Sequence, residues 1–237
     1  MKYIIHIINI LLLTLLLIAL IRKYYYDSVF KLDTLPLDAI HVIDNWYPKD
    51  NWIQFNNALK VTNRWSFDND VTYEDGETTE ITWIMRLFRK WMKPAGDYVE
   101  FARPVIEQMC NDFGVEFEQF DFAGINGQTQ GLQGTIHKDS FRPRNITFLW
   151  HCNTEWDSNW GGNFRVYEKD TLDKGHRGFS EELVQNYQIA EIEYKPNRLI
   201  IIDGSYPHSA DAPNSSSGYA FRKTFVARGN VAKLVDK

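Results

Sequence analysis

The sequence predicts a mainly β domain with flanking helices, carried behind a single N-terminal membrane-spanning helix. Three observations support this. Residues 4–21 are almost wholly apolar, broken only by His6, Asn9 and Thr14, and ~18 such residues suffice to cross a bilayer core as a helix. Between Asp50 and Phe113, apolar side chains recur mostly at helical spacing. After Gly114 the period becomes two, in short runs separated by turn residues, which points to a barrel or sandwich buttressed by helices.

At the N-terminus, the apolar run ends in Ile21-Arg22-Lys23-Tyr24-Tyr25-Tyr26. A cleaved signal peptide would end in small residues, whereas three tyrosines beside two cations suit a membrane interface. Residues 1–23 therefore read as an uncleaved anchor and 24–38 as a tether closed by Leu35-Pro36-Leu37. The domain proper is 39–237, with a helical part over 39–114 and a strand-rich core over 115–228. Lys2 on one side of the apolar run and Arg22 and Lys23 on the other leave its orientation balanced.

Within the domain, residues 40–44 read as a first strand. Trp52, Phe55, Ala58 and Leu59 mark a helix, with Asp50 as its expected N-cap. Residues 66–80, with six acidic side chains, read as a solvated loop. Ile81, Ile84, Met85, Phe88 and Trp91 read as a second helix, stopped by Pro94 and Gly96. Tyr98, Phe101, Val105, Met109 and Phe113 mark a third. Strands are expected over 115–122, 135–139, 146–152, 164–167, 189–194, 199–203 and 219–227. The charged insertion 169–186 reads as an exposed loop, with a mobile lid as the alternative.

Composition sets bounds on function. The chain of 237 residues, 44% hydrophobic and 15% aromatic, can bury a sizeable core. A net charge of −5 gives no sign of a phosphate-binding surface, so no nucleic-acid partner is expected. Cys110 and Cys152 make no disulfide framework and read as two buried thiols.

The chemistry-bearing residues lie in the strand-rich half. His137 and Asp139 are spaced i, i+2, which on an extended segment places both side chains on one face. His208, in Tyr-Pro-His-Ser-Ala, is the candidate third ligand. Two imidazoles and one carboxylate on one face of an ion leave the other face open, a set that suits non-haem Fe(II). Arg222 and Thr224 share a face of the last strand by the same period. A guanidinium there could fork onto a carboxylate, and Lys223 points to the opposite face.

The order of these pieces resembles the Fe(II)/2-oxoglutarate dioxygenases, and within them most nearly the prolyl-4-hydroxylase-like branch. The likeness runs from about Gly124 to Arg228. It rests on His137-Lys138-Asp139, Asn153-Thr154-Glu155-Trp156-Asp157, Gly161-Gly162, Pro207-His208-Ser209-Ala210 and Phe221-Arg222-Lys223-Thr224. The resemblance implies a double-stranded β-helix (jelly-roll) core, with iron on His137, Asp139 and His208. Arg222 would anchor the distal carboxylate of 2-oxoglutarate, with Thr224 beside it. Where relatives offer a tyrosine hydroxyl to that carboxylate, this chain has His151, whose imidazole could donate instead. Asn126 and Gln128 are candidate supporting or substrate contacts, and Gly161-Gly162 reads as a turn.

The activity implied is hydroxylation of an unactivated C–H bond, with O2 and 2-oxoglutarate consumed, succinate and CO2 released, and ascorbate as reductant. The substrate would be a peptide, with a peptidyl proline foremost, or a small molecule. The competing reading is a membrane-anchored jelly-roll binding protein whose metal is inert or absent.

Overall fold

The computed structural model describes residues 40–62, 64–72, 78–89, 97–140, 142, 144–171 and 186–234. The expected anchor, the tether and most of the 169–186 insertion lie outside them. Among the described residues no helix is long and apolar enough to cross a membrane.

The elements in chain order are β1 (His41–Ile43), α1 (Lys49–Val61), β2 (Ser66–Thr72), β3 (Thr78–Arg89), α2 (Asp97–Phe113), β4 (Val115–Gln128), β5 (Asn145–His151), β6 (Phe164–Tyr167), β7 (Gln188–Ile192), β8 (Leu199–Asp203), β9 (His208–Ala210) and β10 (Arg222–Leu234). A seven-stranded sheet runs β1-β8-β5-β10-β4-β3-β2, and a three-stranded sheet runs β7-β6-β9. Every described ladder is antiparallel. The result is a mainly β architecture of two facing sheets with two helices outside, consistent with a jelly-roll core.

The period-two pattern divides the core into two layers. On β5, Ile146, Phe148 and Trp150 face the helices; on β10, Phe225 and Ala227 do the same. They pack with Phe55 and Leu59 of α1 and with Val105, Met109 and Phe113 of α2. The opposite face sends Leu149, Ile200, Ile202 and Val226 toward Phe164, Val166 and Ile192 of the small sheet. A strand buried on both faces reads as a continuous apolar run, and all seven residues of β5 are buried.

Several expectations need correction. Of the expected polar loop 66–80, residues 66–72 form β2 and 78–80 open β3, which continues through the expected helix from Ile81 to Arg89; residues 73–77 and the end of that expected helix lie outside the described residues. The apolar positions of 81–88 fit both periods. Ile84 and Met85 are adjacent and both buried, at 0% and 1% exposure, and they enter different core layers, as neighbours on a strand covered on both faces do. The β-branched and aromatic run Ile81-Thr82-Trp83-Ile84 favours that choice, and pairing with β4 decides it. Helix α1 begins at Lys49, with Pro48 at its N-cap and Asp50 inside the first turn. The expected strand 135–139 is reduced to one bridge, His137 with His208. Beyond it, the amides of Asp139 and Ser140 both turn to the Gly204 carbonyl, at 2.9 and 3.0 Å. The last strand starts at Arg222 rather than Tyr219, because a short 3-10 turn at Ser215–Ser217 and Gly218 at φ 59° come first. Cys110 and Cys152 are unpaired thiols; Cys152 is buried as expected, whereas Cys110 is only half-buried.

Asn197 ties the corner behind β5. It sits in the left-handed region at φ 58°. Its Oδ1 accepts from the Tyr47 amide and from Trp150 Nε1, and its Nδ2 donates to the Tyr47 carbonyl. Asn197→Ala leaves buried donors unmet, at about 1–3 kcal/mol, and removes the short polar side chain whose hydrogen bonding lets asparagine occupy the left-handed region. Urea unfolding should therefore show a loss of about 1–3 kcal/mol.

Candidate active site

The inward face of β10 reads Arg222, Thr224, Val226, Arg228. Each lies across from a partner on the neighbouring strands. Arg222 pairs with Gln128, Thr224 lies between Asn126 and His151, Val226 between Gly124 and Leu149, and Arg228 between Phe122 and Thr147. At about 3.3 Å per residue, the two arginines stand about 20 Å apart along the strand. They border one cavity of about 240 Å³, also lined by His137, Lys138, Asp139, His151, Phe164 and His208.

His137, Asp139 and His208 converge, with one ligand atom from each within 4.8 Å of the others. The sequence placed His137 and Asp139 on one strand. The structure brings them together by another route, through the bridge to His208 and the turn at Gly204. His137 Nδ1 lies 3.0 Å from the Thr135 carbonyl, and His208 Nδ1 lies 2.8 Å from the Tyr206 carbonyl. A carbonyl only accepts, so each Nδ1 carries a proton and Nε2 is the ring nitrogen left to face a metal. Those Nε2 atoms are the ones nearest Asp139, at 3.9 Å for His137 and 3.5 Å for His208. Burial pushes the His208 pKa down to about 4, against the pull of Asp139. Burial alone would raise Asp139, but the Arg228 guanidinium and the two imidazoles hold it well below the usual carboxylate range. His208 is therefore neutral and Asp139 anionic at pH 7, the protonation a divalent metal requires of each.

Arg222 is 2% exposed at the far end. Its Nε donates to the Gly162 carbonyl at 2.8 Å, and its Nη1 donates to Gln128 Oε1 at 2.8 Å and Thr224 Oγ1 at 2.9 Å. Its guanidinium lies 4.6 Å from the centre of the Tyr194 ring, a favourable cation–π placement. Thr224 thus orients Arg222, as their shared face suggests. Lys223 points the other way, as parity requires, and donates to Asn56 Oδ1 at 3.1 Å.

His151 is fully buried and stacked on Tyr194, ring centres 4.1 Å apart. Its Nδ1 accepts from the Lys195 amide at 3.2 Å, which fixes the proton on Nε2. That Nε2–H is buried, belongs to a residue lining the cavity, and has no partner among the described residues. Burial, then the Arg222 and Arg198 charges, push its pKa well below the ordinary value. His151 is therefore a neutral donor and adds no charge. An unfolded histidine takes a proton below about 6.5, whereas folded His151 resists. Its contribution to stability is complete above that pH and is lost as pH falls toward the folded pKa, at up to about 1.4 kcal/mol per pH unit. Unfolding curves at pH 7 and pH 5 should show a smaller acid loss for His151→Leu than for the parent.

Sequence reasoning missed four contributors. Gly161-Gly162 is more than a turn. Its two residues adopt φ 68° and 81°, and a β-carbon on Gly162 would lie 3.2 Å from Arg222 Cδ. Only glycine lets that carbonyl reach the guanidinium. Tyr194 carries the stack, Thr147 donates to Asp139 Oδ2 at 2.6 Å, and Arg228 contacts Asp139 Oδ1. The alternation of β10 already places Arg228 on the same face as Arg222, which was the available signal. Of the two candidate supporting contacts, Gln128 holds Arg222, while Asn126 lines the cavity with its Oδ1 unpartnered among the described residues.

No protein-family model and no curated protein matches this sequence. Solved structures do. A prolyl hydroxylase of Trichoplax adhaerens, in complex with a hypoxia-inducible-factor degradation-domain peptide, aligns with TM-score 0.58 at 14% identity, over 88% of this chain and 90% of its own. A prolyl-4-hydroxylase of Pseudomonas putida aligns with TM-score 0.53 at 13% identity, over 86% and 98%. The non-haem α-ketoglutarate-dependent epimerase SnoN of nogalamycin biosynthesis aligns with TM-score 0.56 at 10% identity, over 87% and 83%. At these identities the likeness establishes the fold, the one used by prolyl hydroxylases and other Fe(II)/2-oxoglutarate-dependent oxygenases.

Proposed function

We propose that this chain is an Fe(II)- and 2-oxoglutarate-dependent dioxygenase that hydroxylates an unactivated C–H bond, with a peptidyl proline as the leading substrate class. One observation carries the reading. A single cavity holds a convergent His/Asp/His set near one end and a buried, pre-oriented guanidinium at the other. The prolyl hydroxylases that share the fold support the substrate class.

The residues suit both groups. His137 Nε2, His208 Nε2 and an Asp139 oxygen would hold iron. Arg222 and the orphaned Nε2–H of His151 would hold the far carboxylate of 2-oxoglutarate, and Thr224 and Gln128 keep the guanidinium aimed. Iron with bound 2-oxoglutarate supplies the oxidation of a C–H bond by dioxygen, releasing succinate and CO2. The chain itself contributes orientation and exclusion of water. Phe122, Leu149, Phe164 and Val226 give the cavity apolar walls, which strengthen the charge contacts within it. Ascorbate as reductant and membrane attachment through residues 1–23 belong to the same proposal.

The test is succinate formation from 2-oxoglutarate by the full chain, loaded anaerobically with Fe(II) and then exposed to oxygen. Turnover without added substrate is expected, and stimulation by proline-containing peptides would support the substrate class. Absence of succinate at any iron or co-substrate concentration, even with a peptide panel, would favour an anchored binding protein with an inert site. His151→Leu should raise the KM for 2-oxoglutarate roughly 10–100-fold, since one hydrogen bond to a charged group is worth about 1.5–3 kcal/mol and each 1.4 kcal/mol is tenfold, with kcat little changed.

A further inference from the structure

Arg228 and Thr147 face each other directly across β10 and β5, and both reach Asp139. Thr147 Oγ1 donates to Oδ2 at 2.6 Å, and Arg228 Nη1 donates to Oδ1. The Asp139 main chain is pinned separately by its amide on the Gly204 carbonyl at 2.9 Å, and a β-carbon at Gly204 would crowd Asp139 Cβ at 3.3 Å. The Asp139 side chain is 3% exposed. Arg228 is itself seated over the Phe122 ring, 5.1 Å from its centre. A register shift follows it, between Arg228 and Gly229, and such bulges re-aim the neighbouring side chain.

We propose that Arg228 and Thr147 form a clasp that fixes the plane of the Asp139 carboxylate and commits it to binding the metal through one oxygen. This rests on reading His137, Asp139 and His208 as a metal centre. Each carboxylate oxygen already gives one lone pair to the clasp. A chelating carboxylate would need both oxygens turned toward the ion, and the clasp prevents that rotation. One-oxygen ligation leaves the remaining coordination positions for other ligands. Arg228 and Thr147 are positioning residues: they act through Asp139.

Charge alone predicts the opposite sign. A guanidinium beside a dication repels it, so a purely electrostatic role makes Arg228→Met bind metal more tightly. A positioning role makes it bind more weakly, and Thr147→Val, which changes no charge, must do the same. The experiment is titration of the full-length, metal-free protein with Mn(II), followed by electron paramagnetic resonance of the free ion. A parallel set of samples carries Co(II), whose visible absorption reports coordination number. Thermal unfolding of each metal-free variant checks folding.

The expected result is a roughly 10–100-fold weaker Mn(II) affinity in both Thr147→Val and Arg228→Met, with a changed Co(II) spectrum. Arg228→Lys, which keeps a donor and the charge, should lie closer to the parent. Equal or tighter binding by Arg228→Met, or unchanged binding by Thr147→Val, overturns the clasp. If the parent binds no divalent ion, the metal-centre reading falls and the clasp with it. If the parent binds and the variants match it, only the clasp falls.

Discussion

Replacing Arg222 by methionine should raise the concentration of 2-oxoglutarate needed for half-maximal succinate formation by about 10²–10³-fold. Truncating one partner of a buried, hydrogen-bonded charge pair costs about 2–5 kcal/mol, and each 1.4 kcal/mol is tenfold. The guanidinium is held by Gly162, Gln128 and Thr224 before any ligand arrives, so little of its binding energy is spent on ordering. Because Arg222 stands at the end of the cavity away from the metal ligands, the loss should fall mainly on KM and be recovered at saturating co-substrate. Arg222→Lys keeps the charge but not the fork, and a penalty of roughly tenfold is expected. A kcat loss that saturation does not restore, or a KM that does not move, would remove Arg222 from the role assigned to it.

His208→Ala should reduce succinate formation to the level without enzyme and abolish Mn(II) binding in the micromolar range, yet leave the fold standing. The separation follows from how the residue is built in. The bridge to His137 is made by the main chain, amide to carbonyl at 2.9 Å and 3.0 Å, and survives the substitution. What is lost is the ring, which packs against His137 at 4.6 Å and Phe164 at 5.3 Å between centres. Truncating a buried ring leaves a cavity, at a cost of about 2–3 kcal/mol, but burying the imidazole in its neutral form was itself unfavourable below pH ~6.5. Loss of metal binding with a cooperative unfolding transition retained is the expected pair of results. Retained metal binding would mean that another residue supplies the third ligand.

The clearest misreading in the sequence concerns residues 66–72 and 78–89. Their apolar residues fit a helical period as well as a strand, and nothing local breaks the tie. The edge of β4 breaks it, because pairing along Trp83 to Arg86 buries both faces at once. The 135–139 segment failed for the opposite reason. Its alternation is real, but Gly204 captures the amides of Asp139 and the following Ser140 and turns the chain after a single bridge. Both errors concern which backbone partner is available, which periodicity cannot report.

The candidate ligand set was legible because metal chemistry restricts residue type so sharply. His137, Asp139 and His208 stand out by identity and order, and Arg222 by its parity with Thr224. The same alternation carries Val226 and Arg228 to the cavity side of β10, although only Arg222 and Thr224 were read from it. What identity could not supply was the support around those residues. Gly162 approaches Arg222 from 60 positions away, Tyr194 stacks on His151 from 43, and Thr147 reaches Asp139 across a turn. By itself the sequence determined the chemistry on offer, through side-chain type and the two-residue period of its strands. Only the tertiary structure decided how that chemistry is held, since orientation and charge state depend on burial and on partners distant along the chain.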